Sequence, residues 1–192
     1  QPLGVVAIDD RLRPDASVAL QRLRDQGLTL GMLSGDRRQA VEKIARMLGF
    51  ADDELAWQLL PDQKLERLER WRSEETVGMV GDGINDAPAL AAADLGIAVG
   101  TGTQIAQDTA DLVLLGDRLE ALPEALTLAR RTMAKIRQNL FWAFGYNMIA
   151  LPVAAGALLP GFNLLLSPPL AALLMALSSV SVVLNALSLS VR

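Results

Sequence analysis

The sequence predicts an α/β domain built on a parallel sheet, followed by a transmembrane helical hairpin, and three observations carry that prediction. Strand-like and helix-like periodicities alternate through the first 115 or so residues. An acidic, glycine-bearing turn closes one of the strand-like runs. The charge is partitioned: from Leu140 to Val191 there is no Asp, Glu, Lys or Arg.

The elements follow in order. Residues 4–8 (GVVAI) read as a strand leading into Asp9-Asp10. Pro14 suits the first turn of a helix that carries Ala16, Ala19, Leu20 and Leu23 on one face and stops at Gly27. Residues 28–33 (LTLGML) are the next strand, followed by Ser34-Gly35-Asp36. A helix with Ala40, Val41, Ile44, Ala45 and Leu48 at helical spacing ends at Gly49. Residues 61–72 (PDQKLERLERWR) form a polar helix with Leu65 and Leu68 inward. Val77 to Val80 precede the acidic turn, and residues 96–100 (GIAVG) and 112–115 (LVLL) are two more strands. Repeated strand-helix alternation of this kind implies a parallel sheet covered by helices.

From Leu119 a helical pattern runs through Ala125, Leu128, Ala129 and Met133 without a break, a stalk over 119–139. The runs 140–159, interrupted by Pro152, and 170–189 are each 20 residues long and uncharged. At 1.5 Å per residue each spans roughly 30 Å, a bilayer core. The connector between Pro160 and Pro169 is too short for a domain, so the two form a hairpin. Arg130, Arg131, Lys135 and Arg137 flank its start and Arg192 its end, which places both ends and the soluble part in the cytoplasm. The expected division is thus 1–118, 119–139 and 140–192.

With no Cys and no His, thiolate and imidazole metal sites are excluded within this sequence, and any metal must use oxygen, amide or Met ligands. The net charge of −4, without a basic stripe, argues against a nucleic-acid partner. The chain begins at Gln1, which points to a cut through a longer protein.

The acidic turn is Gly81-Asp82-Gly83-Ile84-Asn85-Asp86-Ala87-Pro88-Ala89-Leu90. A turn at the carboxyl edge of a parallel strand is where open α/β sheets place ligands. Asp82 and Asp86, four residues apart with glycines allowing close approach, suit Mg²⁺, which is held by one or two carboxylates plus phosphate oxygens. They also fit an Asp-Gly turn with a capping Asp. Ser34-Gly35-Asp36 before a helix is either an ordinary N-cap or a place where the Ser34 hydroxyl and backbone N–H groups receive a phosphoryl oxygen. Lys64 is either a solvated surface charge or the cation that neutralises a transferring phosphoryl group.

The ten-residue acidic string resembles the hinge of P-type ATPases, within the haloacid-dehalogenase-like superfamily. By that resemblance the domain is Rossmann-like, Asp82 holds Mg²⁺, and Asn85 and Asp86 support the phosphorylation site. The order of hydroxyl, Lys and paired Asp is similar to that of dehalogenase-like phosphotransferases, with Ser34 where P-type ATPases carry a Thr. The family's nucleophile, the Asp of Asp-Lys-Thr-Gly-Thr, does not occur in this sequence, nor does the Thr-Gly-Glu of the actuator domain. The resemblance therefore implies an incomplete phosphorylation domain lacking its central strand, inactive alone, whose nucleotide-binding domain lies elsewhere.

In the apolar runs, Tyr146, Asn147, Met175, Ser178 and Ser179 are polar or soft groups, the last three at i, i+3, i+4 on one face. Spacing leaves two readings open, a functional site or interhelical glue. The strings 135–147 (KIRQNLFWAFGYN) and 175–187 (MALSSVSVVLNAL) look like the last two helices of copper(I)-transporting heavy-metal ATPases. That resemblance implies that Tyr146, Asn147, Met175, Ser178 and Ser179 help bind transported Cu⁺, or Ag⁺, in a pump driven by ATP and Mg²⁺ at the cell (inner) membrane, with export from the cytoplasm. A thioether suits a soft monovalent cargo, and the charged group expected of a zinc or cadmium pump is missing. The rival readings are a membrane-tethered dehalogenase-like phosphatase and a non-catalytic module.

Overall fold

The computed structural model describes residues 12–81, 84–100, 108–116, 118–157, 159–162 and 167–188. The predicted strand at 4–8, Asp9-Asp10, Asp82, Gly83 and Arg192 lie outside them. The chain divides into two compact units, 1–124 and 125–192.

In the first unit the elements run α1 (Ala16–Asp25), β1 (Met32–Leu33), α2 (Arg38–Leu48), β2 (Leu55–Ala56), α3 (Pro61–Arg72), β3 (Gly78–Gly81), α4 (Ala87–Ala92), β4 (Leu95–Val99) and β5 (Leu112–Leu114). All described strand pairs are parallel. β1 pairs with β2, matching Met32 with Leu55, while β3, β4 and β5 lie side by side in that order, Val80 opposite Ile97 and Ile97 opposite Leu112.

The helices begin and end where local chemistry dictates. α1 buries Ala16, Ala19 and Leu23, as its spacing requires, but Pro14 sits one residue before the N-cap Asp15 and not inside the helix. α2 buries Val41 and Ala45 and closes on Gly49 in the left-handed region (φ 70°). Its last carbonyls are taken up by Arg24 of α1, which donates to Leu48 O (3.1 Å) and Gly49 O (3.0 Å). Ala40, assigned by spacing to the inner face of this helix, is exposed. α3 starts with Pro61 at its first turn, and Gln63 Oε1 reaches back to accept from the Leu60 N–H at 2.9 Å.

The core forms where α3 and α4 cover β3 and β4. Leu68, Met79, Ala89, Leu90 and Ala98 are buried together, with Val77, Ala93 and Val113 packed around them. Four successive residues of β4 are buried, the uninterrupted apolar run expected of a parallel strand covered on both faces. Asp94 ties the base of this layer: its carboxylate accepts from Val77 N–H (2.9 Å) and Arg72 Nε (3.0 Å). The Val77 hydrogen bond first, and then the Arg72 charge, hold it below the usual carboxylate range. Replacing Leu68 (1% exposed) by Ala is expected to cost about 2–5 kcal/mol through lost burial and the cavity left behind. Urea unfolding of the intact protein, followed by the fluorescence of neighbouring Trp71, measures it against half-buried Leu65→Ala, which should lose less.

In the second unit α5 (Ala121–Ala154), which begins just before the division, is followed by a single turn, α6 (Leu159–Phe162), and α7 (Pro168–Leu187). α7 carries one stretch, Pro169–Leu187, that is long and apolar enough to cross a membrane by length and composition, and it is the one such helix among the described residues. The first apolar run is helical only to Ala154, not to Leu159. Pro152 withholds a donor near its end, and Gly156 at φ 89° turns the chain out.

Candidate functional site

Ser34 follows β1, and three backbone hydrogen bonds fasten its loop to the end of β2 and the segment after it. Ser34 N–H donates to Ala56 O (2.9 Å), Gln58 N–H to Asp36 O (2.9 Å) and Leu59 N–H to Ser34 O (3.0 Å). Within the loop the Asp36 N–H donates to Ser34 Oγ (3.1 Å), and Ser34 Oγ donates to Asp36 Oδ2 (3.0 Å). Gly35 is confined, since a Cβ there would lie 3.3 Å from Leu59 O.

From Leu59 the chain passes directly into α3, and Lys64 in its second turn extends Nζ to Asp86 Oδ1 at 2.8 Å. The two side chains are 13% and 16% exposed, so this pair is shielded well enough to hold its geometry. Asp86 is the N-cap residue of α4, beyond the short turn 84–86 that follows β3. It folds back over the strand end because Gly81 has no side chain: a Cβ at 81 would lie 2.8 Å from Asp86 Cβ and 3.0 Å from Oδ2. Asn85 is exposed beside it. Ser34 thus stands at the carboxyl end of β1 and the Lys64–Asp86 pair beyond that of β3, with Leu59, two residues before α3, bonded to the Ser34 loop.

In the second unit the predicted metal residues lie on α5 and α7. Asn147 and Met175 are exposed, and Tyr146 and Ser178 half-buried. Asn147 Nδ2 donates to Ala143 O (3.0 Å) and Ser179 Oγ to Met175 O (3.2 Å), each within its own helix. The polar link between α5 and α7 lies elsewhere. Lys135 Nζ donates to Asn185 Oδ1 (2.9 Å) and Ser188 Oγ (2.8 Å), while Asn185 Nδ2 donates to Gln138 Oε1 (3.1 Å) and Asn139 Oδ1 (2.7 Å).

A family model described as haloacid dehalogenase-like hydrolase matches residues 1–94. A probable copper-exporting P-type ATPase of Archaeoglobus fulgidus is 47% identical over 186 residues, which is 97% of this chain and 23% of that protein. A silver exporting P-type ATPase of Salmonella typhimurium is 50% identical over 191 residues, 98% of this chain and 23% of that protein. The crystal structure of a zinc-transporting PIB-type ATPase in its E2.Pi state aligns with a TM-score of 0.82 and 39% identity, covering 95% of this chain and 28% of that one. Over nearly all of its length this chain is similar to metal-transporting P-type ATPases. It spans about a quarter of the length of these relatives.

The α/β unit has the haloacid-dehalogenase-like fold. Its donor set fits Mg²⁺ in kind: the described part of the turn offers the carboxylate of Asp86, and no group of three or more His, Cys, Asp or Glu that could hold a metal ion by itself is found among the described residues. A site with few protein carboxylates suits a cation that takes the rest of its shell from phosphate and water. Asp82 lies outside the described residues. Sequence reasoning missed the Lys135–Asn185 cluster because its members are 50 residues apart. The signal was present as two amides and a Lys at the edge of one apolar run and an Asn near the end of the other.

Proposed function

We propose that the chain is part of an ATP-driven Cu⁺ exporter, in which formation and hydrolysis of an aspartyl phosphate are coupled to metal movement through a membrane. The observation that carries this reading is the Lys64–Asp86 pair, joined through Leu59 to the Ser34 loop. In the proposed site the Ser34 hydroxyl and the N–H groups of its loop receive a phosphoryl oxygen, and Lys64 offsets charge that grows as the group transfers. Asp86 holds Lys64 in place and Asn85 flanks it. Asp82 and Asp86 would hold Mg²⁺, which supplies positive charge to the phosphoryl oxygens. The phosphorylated Asp and the nucleotide domain belong to other parts of the protein, so residues 1–118 are an incomplete phosphorylation domain. The separation of the described strands into two parallel ladders supports that reading.

Residues 119–139 are proposed as a stalk and 140–192 as a transmembrane hairpin, with spans near 140–159 and 170–189 and both ends cytoplasmic. The apolar α7 and the basic residues Arg130, Arg131, Lys135 and Arg137 support it. Tyr146, Asn147, Met175, Ser178 and Ser179 line the proposed Cu⁺ path. A thioether favours a soft cation, and the relatives named for copper and silver agree with that preference.

The test is Cu⁺ stoichiometry and Cu⁺-stimulated ATP hydrolysis of the full-length protein. Met175→Leu keeps volume and apolarity, so stability should move by less than about 1.5 kcal/mol. Turnover should fall about tenfold, with Asn147→Leu acting in the same direction, because a ligand is lost. Met148→Leu, about 100° round the helix from Asn147, should be silent. Full activity and stoichiometry in Met175→Leu would return that residue to packing. Running Ag⁺ in parallel separates the two cargoes.

A further inference from the structure

Gln58 is the one non-glycine residue with a positive φ, 54°, among the described residues. It lies between β2 and α3 with an exposed side chain, so burial does not force it there. Left-handed backbone is strained for a glutamine and persists only where its surroundings hold it. Here they are the hydrogen bonds of consecutive residues to the hydroxyl loop: Gln58 N–H to Asp36 O (2.9 Å) and Leu59 N–H to Ser34 O (3.0 Å). An extended residue at 58 would turn one of these two N–H groups away, since neighbouring N–H groups along a strand point to opposite sides. The carbonyls on both sides of Gly35 would then lose an anchor, and with it the placement of Ser34 Oγ.

We propose that Gln58 is a positioning residue for Ser34, acting through its left-handed backbone and not through its side chain. The oxyanion it serves is the phosphoryl group, so the proposal rests on the reading of Ser34 given above. It also assigns the Gln58 turn a task that its exposed side chain does not reveal.

The experiment uses the full-length protein in membranes with inorganic orthovanadate as a phosphate-like probe of ATP hydrolysis. Gln58→Gly and Gln58→Asn accept a positive φ and should keep half-inhibition within about twofold of the parent, whereas β-branched Gln58→Val should raise it about tenfold. If Gln58→Val does not accumulate, Gln58→Thr, also β-branched but polar, carries the same test with a shift of about threefold. Cu⁺ stoichiometry should not change in any of them. Ser34→Ala should also raise the half-inhibiting concentration, and adding Gln58→Val to it should do little more, because both act on one hydroxyl. Equal loss in Gln58→Gly and Gln58→Val, or parent-like inhibition in Gln58→Val, overturns the proposal. A parent-like Ser34→Ala instead overturns the reading of Ser34, and the proposal with it.

Discussion

Lys64→Met in the full-length protein is expected to lower the rate of phosphoenzyme formation from ATP by on the order of 10²–10³, the usual loss when one preorganised charge leaves a transferring group. The pair explains the size of the effect. Lys64 Nζ is fixed at 2.8 Å from Asp86 Oδ1 and largely shielded from water, so its charge is in place before the phosphoryl group arrives. Asp86→Asn should lose activity too, since Lys64 is then no longer held. The double variant should be far less than additive, because each single change already breaks the same pair. Rapid-quench measurement of the four proteins checks this. Additive losses would mean that Lys64 and Asp86 work independently and that the pair is only a surface contact.

Asp82→Asn should reduce phosphoenzyme formation about a hundredfold or more at limiting Mg²⁺, with Cu⁺ stoichiometry unchanged. The amide keeps the size of the side chain and removes the charge that draws a hard divalent ion. Raising Mg²⁺ should recover part of the loss, which distinguishes a weakened ion site from a broken fold. A phosphoenzyme level equal to that of the parent at limiting Mg²⁺ would refute the role given to Asp82.

The parts of the fold that were legible in the sequence are those whose cause is local. α2 is bounded by Gly49 and patterned by Val41 and Ala45, α3 opens on Pro61, and both follow from neighbours a few residues apart. β2 was not legible. It is two residues long, comes straight after Asp52-Asp53-Glu54, and exists because Met32 and Leu33 pair with it from more than twenty positions away. The site shows the same split. The residue types at Ser34, Lys64 and Asp86 were legible from their order, but the bond that joins Lys64 to Asp86 spans 22 residues and needed the fold. Gln58 gave no signal, because the sequence mark of a left-handed residue is Gly, Asn or Asp. The first long helix ends at Ala154, five residues before the apolar run does, where Pro152 withholds one donor and Gly156 takes a positive φ.

The amide of Asn185 has consequences for how the protein is made. Near the end of an otherwise apolar helix, its side chain finds Lys135, Gln138 and Asn139, all on α5. As a span of the proposed hairpin, α7 alone in lipid would carry that amide without partners, at a cost that hydrocarbon does not relieve. Synthesis runs from α5 to α7, so the acceptors and the Lys are already waiting when Asn185 leaves the ribosome. In the proposed transmembrane hairpin the second helix would be received by the first on insertion, and a chain in which residues 135–139 are altered should stall at that step with α7 left for quality control to degrade.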